Sequence, residues 1–279
     1  GFDPADSLIE VGPRPNESVI RMEDLETCIC AEGSTIALVL LPGVNYYTGQ
    51  VFDMAAITRL GQEQGCVVGF DLAHAVGNIS LRLHDWNSDF AVWCSYKYLN
   101  GGPGAVGGCF VHDRHRDWLD KPRLAGWWGH DPASRFQMGP DFIPISGAGG
   151  WQVSNAPILS LAPVLASLGV FEEAGMEALT AKSDRLTSYL AYLVREELGA
   201  RVEILTPLES GRRGCQLSLR VRGTRADQRR AFEALETHGV VCDWREPDVI
   251  RAAPVPLYNR FEDVCEFVGV LQRALVLDS

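Results

Sequence analysis

Two short apolar runs, each ending at a chemically useful residue, constrain this chain more than any other feature. The first, Val67 to Phe70, runs into Asp71 within VVGFDLAHAVGN. The second, Phe90 to Cys94, runs into Ser95-Tyr96-Lys97 within DFAVWCSYKYLNGGPGAVGG. Apolar runs of that length, bounded by turn signals, fit buried strands of a parallel sheet. Such a sheet collects its chemistry just past the carboxyl ends of its strands. Asp71, His74, Tyr96 and Lys97 are therefore expected on one edge. The fold class implied is α/β, a mostly parallel sheet with helices on both faces, followed by a small C-terminal α+β domain.

A lysine at such an edge points to imine chemistry. An amine walled by apolar side chains loses its proton more readily and attacks carbonyls. A carboxylate facing it suits a protonated pyridine nitrogen, the arrangement that keeps pyridoxal phosphate an electron sink. Glycines 101, 102 and 104 let backbone amides approach an anion such as phosphate. Each residue has an ordinary alternative. A strand-end aspartate caps turns and helices, and a lone lysine is usually a solvated charge. The combination in this order is what points to the cofactor.

The same segments, VGFDLAHAVGN, HDW and DFAVWCSYKYLNGGPG, resemble the kynureninase family, pyridoxal-phosphate enzymes of fold type I in the aspartate-aminotransferase superfamily. GVNYYTGQ at 43–50, GWWGH at 126–130, WQVSNAPI at 151–158 and IRAAPVPLYN at 250–259 extend the resemblance over nearly the whole chain. D-x-x-H with S-x-K alone would indicate only the superfamily; GWWGH and IRAAPVPLYN narrow it.

The resemblance implies a role for each matching position. Lys97 would form the imine with pyridoxal 5'-phosphate, and Asp71 would pair with its ring nitrogen. His74 would lie near the ring oxygen or the Asp71 carboxylate. Tyr96 would touch the phosphate and move a proton, a phenol in such a place having a shifted pKa. Trp127 would donate its indole N–H to the phosphate across a dimer. Asn155 would contact the phosphate or the substrate's aryl ketone. His130 would face the substrate's aromatic ring, with Tyr46 or Tyr47 nearby, and Arg251 would grip its carboxylate with a bidentate fork. Pro42 stands where the family often carries a hydroxyl that contacts phosphate, which proline cannot supply. Ala156 stands before Pro157 where the family often has two prolines. No metal is implied.

The activity implied is hydrolysis of L-kynurenine or 3-hydroxykynurenine to anthranilate or 3-hydroxyanthranilate and L-alanine, in tryptophan catabolism. A homodimer with the cofactor site at the subunit interface is implied too. Against the family pattern, the N-terminal part with its phosphate-binding turn and ring-stacking aromatic is missing. It is expected either on a separate polypeptide or in a longer parent of this fragment. Two rival readings stand beside this one. A cysteine desulfurase or selenocysteine lyase shares the D…S-x-K layout but needs a mobile catalytic cysteine, and no obvious one follows Lys97. A non-catalytic chain, active only with an N-terminal partner, is the other.

Bulk properties bound the rest. With 279 residues, 46% of them apolar, the chain can bury a large core. The expected division is a large domain over 1–197 and a small one over 198–279. A net charge of −11 argues against nucleic-acid or anionic-membrane partners. Eight scattered cysteines read as reduced residues of a cytoplasmic protein. No apolar run approaches ~20 residues, so no membrane span is expected. GFDPADSLIE carries no basic and apolar leader pattern.

Pattern predicts a loop over 1–20, a helix over Met22–Glu32, a buried strand over Ile36–Leu41 and a helix over Asp53–Gln64. The group His112, Asp113 and His115, interleaved with arginines, reads as a solvated turn. Residues 121–156 form a long functional loop. Helices follow over Leu159–Ala174 and Met176–Leu198. The small domain is expected to hold strands at Val202–Leu205, Gln216–Val221, near Val240 and at Val249–Ala252, with helices Ala226–His238 and Phe261–Leu277.

Overall fold

The computed structural model describes residues 2–276, so Leu277 of the expected last helix and the outermost ends of both expected domains lie outside the described residues. In chain order the first elements are α1 (Pro4–Ser7), α2 (Met22–Glu32), β1 (Leu38–Pro42), α3 (Met54–Glu63), β2 (Val67–Asp71), β3 (Phe90–Trp93) and β4 (Gly108–Val111). After a long irregular stretch come α4 (Ile158–Ala174), α5 (Met176–Leu193), β5 (Val202–Ile204), β6 (Leu217–Val221), α6 (Arg225–Thr237), β7 (Asp243–Arg245), β8 (Val249–Ala252) and α7 (Phe261–Val276). Two compact units result. One holds residues 33–43 and 53–173; the other holds residues up to 32, 44–52 and those from 174 onward.

The first unit is built on a four-stranded sheet in the order β1-β2-β3-β4. The first three strands run parallel and β4 returns antiparallel. The α3 helix starts where Asp53 accepts the Ala56 N–H at 2.9 Å, and it buries Met54, Ile57 and Leu60. It packs on β2. Val39, Val68, Phe70 and Ala91 are all buried and share one face of the sheet by register.

The other face corrects an expectation. Leu38, Leu40 and Val92 share it, and they remain 48%, 53% and 44% exposed. The first strand is thus not buried on both sides among the described residues. A parallel strand reads as a continuous apolar run because the fold covers both its faces. The run itself does not say which segment of a protein does the covering.

The turn after β4 is not a solvated one either. Arg114 and His115 fold back onto the buried carboxylate of Asp89, and His112 is itself buried. Among the described residues no cluster of His, Cys, Asp and Glu is suited to hold a metal ion.

The second unit carries an antiparallel sheet in the order β5-β6-β8-β7. Leu186 and Leu190 of α5, Leu217 and Leu219 of β6, Leu235 of α6, Ile250 of β8 and Leu271 of α7 form one fully buried core. At the start of α6, Thr224 and Asp227 cap each other's backbone reciprocally, the pattern that satisfies two orphan N–H groups at once. The first strand of the last hairpin, β7, begins at Asp243, later than the position near Val240. Inside the expected N-terminal loop, Asp3 accepts the Ala5 N–H at 3.0 Å, and Pro4 opens the single turn α1. Segment 44–52 belongs to this unit through buried polar contacts. Gln50 takes the Ile20 N–H at 2.9 Å and donates to the Ile20 carbonyl at 2.6 Å.

All eight cysteines are free thiols. Among the described residues no single helix is long and apolar enough to cross a membrane.

Candidate active site

The carboxyl edge of the parallel strands gathers the expected residues. Pro42, Asp71 and Val92 stand side by side in the register of β1, β2 and β3. Asp71 lies on the half-open face, and its Oδ1 accepts the Ala73 N–H at 2.8 Å, closing the turn that follows β2. That turn brings His74 to the loop after β3, where His74 Nε2 lies 3.1 Å from Lys97 Nζ. The rings of His74 and Tyr98 meet edge to face with centroids 5.9 Å apart.

The lysine loop is held by its own backbone. Gly101 N–H donates to the Ser95 carbonyl at 2.9 Å, and Asn100 N–H donates to the Lys97 carbonyl at 3.0 Å. Ser95 is buried and Tyr96 is exposed. A hydrogen bond with the Cys94 thiol, reinforced by its charge when ionised, pushes the Tyr96 phenol above its ordinary pKa.

Gly77 closes the two loops on each other. Its φ is +80°, and a Cβ there would stand 2.6 Å from the Tyr98 carbonyl oxygen. Gly77→Ala is expected to cost about 1–3 kcal/mol from the backbone conformation alone, with the clash in addition. Urea unfolding of the variant checks this, and unchanged stability would refute the close approach.

The long loop is folded on itself. Gly126 abuts the Val153 backbone so closely that a Cβ would fall 2.1 Å from the Val153 carbonyl oxygen. This pairs the GWWGH segment with 152–155. Trp127 is 43% exposed and meets Phe136 edge to face at 5.7 Å. His130 Nε2 lies 3.0 Å from Ser134 Oγ, and its ring meets Phe142 at 5.5 Å. Asn155 lies on the exposed stretch 152–159. Arg135 stacks on Trp128 at 4.4 Å and donates to the Trp128 and His130 carbonyls at 3.0 and 2.9 Å, pinning the turn.

Arg251 belongs to the other unit, on β8. It is 9% exposed and donates from Nη1 to the Tyr46 carbonyl at 2.7 Å, while Nη2 pairs with the Asp243 carboxylate. Tyr47 donates its hydroxyl to Asp248 at 3.2 Å, so of the two tyrosines only Tyr46 has an exposed side chain. Burial first, and then the Asp248 charge, pushes the Tyr47 phenol up.

The structure thus brings Pro42, Asp71, His74, Tyr96 and Lys97 to one edge. It sets Trp127, His130 and Asn155 on one folded loop of the same unit. Three positions escaped the sequence reading: Gly77, Arg135 and Asp243. A signal for Asp243 was present, because the Pro-Asp turn at 247–248 marks a hairpin that places Asp243 opposite Arg251.

Comparison with known proteins agrees with this arrangement. The aminotransferase class-V family matches residues 9–202, and the kynureninase C-terminal domain matches residues 179–271. A kynureninase from Xanthomonas oryzae pv. oryzae (strain PXO99A) is 58% identical over 272 residues, which is 98% of this chain and 64% of that protein. A kynureninase from Koribacter versatilis (strain Ellin345) is 55% identical over 268 residues, 96% of this chain and 62% of that one. The chain therefore spans just under two thirds of the length of these curated relatives. Among solved structures, an apo cysteine desulfurase from Thermococcus onnurineus NA1 superposes with a TM-score of 0.78 at 17% identity, over 97% of this chain and 66% of its own. The cystine C-S lyase C-DES, in complex with cysteine persulfide, gives 0.75 at 20%, over 92% and 66%. At such identities these two share the fold alone.

Proposed function

The chain belongs to the aminotransferase class-V family, in its kynureninase branch, and from that premise we propose that the protein hydrolyses L-kynurenine or 3-hydroxykynurenine. The products are anthranilate or 3-hydroxyanthranilate and L-alanine, and the cofactor is pyridoxal 5'-phosphate. The observation that carries this reading is the Lys97 amine 3.1 Å from the His74 imidazole, at the strand edge that also bears Asp71.

That donor set fits the cofactor. An amine suits its aldehyde, a carboxylate suits its ring nitrogen, and an imidazole suits the polar groups between them. Bound there, pyridoxal phosphate would supply an electron sink for charge arising at the substrate's α-carbon. Lys97 would anchor it and, once displaced by substrate, would take up the α-proton. Asp71 would hold the ring nitrogen protonated by its negative charge. His74, beside the Lys97 nitrogen, would orient that amine. Tyr96 and Trp127 would donate to the phosphate. Tyr96 would also be the proton donor held near the γ-carbonyl, its proton ending on the carbon that stays with the alanine fragment when the bond to the aryl carbonyl breaks. His130 or Asn155 would polarise the aryl ketone toward water, and Arg251 would take the carboxylate. Pro42 has no hydroxyl to offer and would only line the edge.

The wider setting proposed is tryptophan catabolism, the kynurenine pathway feeding NAD biosynthesis, in the cytoplasm, by a homodimer with the cofactor site at the subunit interface. The free thiols support the compartment. Residues 1–197 and 198–279 are proposed as the large and small domains of the family, supported by the two family matches, which meet between 179 and 202. The segment that the chain does not span in its relatives is proposed to come from the same enzyme, on this or a separate polypeptide.

The competing desulfurase-type reading shares only the fold, at 17–20% identity against 55–58% for the kynureninases. Incubating the holoenzyme with L-kynurenine and with L-cysteine separates the two. Anthranilate fluorescence from the first and no sulfide from the second is the expected result; the reverse would overturn the proposal.

A further inference from the structure

We infer that Asp243 is a positioning residue for the substrate carboxylate, acting through Arg251. The inference rests on the role proposed above for Arg251 and extends it to a residue that the sequence did not single out.

Arg251 is nearly buried, and a guanidinium out of water must have its charge balanced and its N–H groups met. Two acceptors reach it from different directions. The Tyr46 carbonyl takes Nη1 at 2.7 Å, and the Asp243 carboxylate takes Nη2. Asp243 and Arg251 are direct cross-strand partners in the β7–β8 hairpin, so both side chains rise from the same face. The Tyr46 carbonyl is itself held, accepting from Gln216 Nε2 at 3.2 Å. Two fixed acceptors on two nitrogens set the plane of the guanidinium before any ligand arrives. Such preorganisation lowers the cost of binding.

The charge count favours a positioning role over a blocking one. Asp243 is shared, because Arg245 Nη2 lies 3.1 Å from the same carboxylate oxygen that pairs with Arg251. Two arginines against one carboxylate leave one net positive charge in the trio. A lone Asp–Arg pair would be neutral and would compete with an incoming anion. Shared in this way, Asp243 orients Arg251 without cancelling it. The ligand class is a monoanionic α-carboxylate, as on an amino acid.

The test compares Asp243→Ala, Asp243→Asn and Arg251→Lys in the assembled holoenzyme. Spectral titration of the bound cofactor gives the Kd of L-alanine and of L-alaninamide, which lacks the carboxylate. Steady-state assays with kynurenine give KM and kcat. Asp243→Ala is expected to weaken alanine and raise KM by about tenfold or more, with kcat within about threefold and alaninamide unaffected. Asp243→Asn keeps an acceptor for Nη2 and should lose only about threefold. If Asp243→Ala does not fold, that smaller loss, confined to alanine, carries the test. Unchanged or tighter alanine binding, or equal losses on both ligands, would overturn the inference. Arg251→Lys separates the layers. If it leaves alanine affinity intact, the role of Arg251 fails and the inference with it. If it weakens alanine while Asp243→Ala does not, only the inference fails.

Discussion

Lys97→Ala is expected to leave a folded protein that holds no covalent cofactor and turns substrate over about 10³-fold more slowly or worse. The structure says why the damage should stay chemical. The lysine loop is tied down by its backbone, through Gly101 N–H to the Ser95 carbonyl and Asn100 N–H to the Lys97 carbonyl, and alanine keeps both bonds. What disappears is the amine beside His74 Nε2. On the roles proposed for Lys97, its loss would remove both the nucleophile for the cofactor's aldehyde and the base at the α-carbon. Three measurements together decide the matter: circular dichroism melting, the mass of borohydride-reduced protein, and anthranilate fluorescence. A variant with wild-type melting, no added cofactor mass and residual turnover near background is the expected result. Wild-type turnover would end the scheme, whatever the melting curve shows. A collapsed melting curve would instead mean that the half-buried lysine stem is part of the packing.

Much of this edge could be read before any coordinates. Apolar runs that end at Asp71 and at Tyr96-Lys97 announce parallel strands and their carboxyl ends, because the first polar residue comes where the strand runs out: Asp71 is the last residue of β2, and Tyr96-Lys97 follow β3. Helix α3 was legible from its pattern to within a residue at each end, and α2 was predicted residue for residue. Other features depend on partners distant in sequence. The burial of β1 depends on what lies over Leu38 and Leu40, and no property of the run ALVLLP reports that. The contact between His74 and Lys97 needs Gly77 to lie flat on the Tyr98 backbone, and a lone glycine in a turn has many possible reasons. Arg251 was recognisable from its motif, yet its capture by Asp243 follows only once 243–251 is seen as a hairpin. The cluster after β4 was misread for the same reason: its partner, Asp89, stands more than twenty residues earlier in the chain.

That misread cluster supports the second large effect, Asp89→Asn. Asp89 precedes β3 at its amino end, and its side chain is 5% exposed. Oδ2 accepts the Val68 N–H at 2.7 Å and Gln62 Nε2 at 3.1 Å, while Oδ1 faces Arg114 and His115. His115 is stacked on Trp118 with centroids 3.6 Å apart, so it cannot easily turn away. Burial alone would push this carboxyl up. The hydrogen bonds from Val68, Arg114, His115 and Gln62 outweigh it and hold the group below the usual carboxylate range. An asparagine keeps the shape but must aim its NH₂ at one of these donor sets. Breaking a buried, paired charge in this way is expected to cost about 3 kcal/mol or more at neutral pH. Because the folded pKa is depressed, this stabilisation is present above the unfolded carboxyl value of about 3.9 and is lost as pH falls through the folded value. The gap between wild type and Asp89→Asn in urea unfolding should therefore be wide at neutral pH and close in acid below about pH 4. A gap that keeps its width into acid would mean that the ionised carboxylate is not its source. Lys97 follows the opposite end of β3, so protein that remains folded should still hold its cofactor. This separates damage to the scaffold from damage to the chemistry that the scaffold supports.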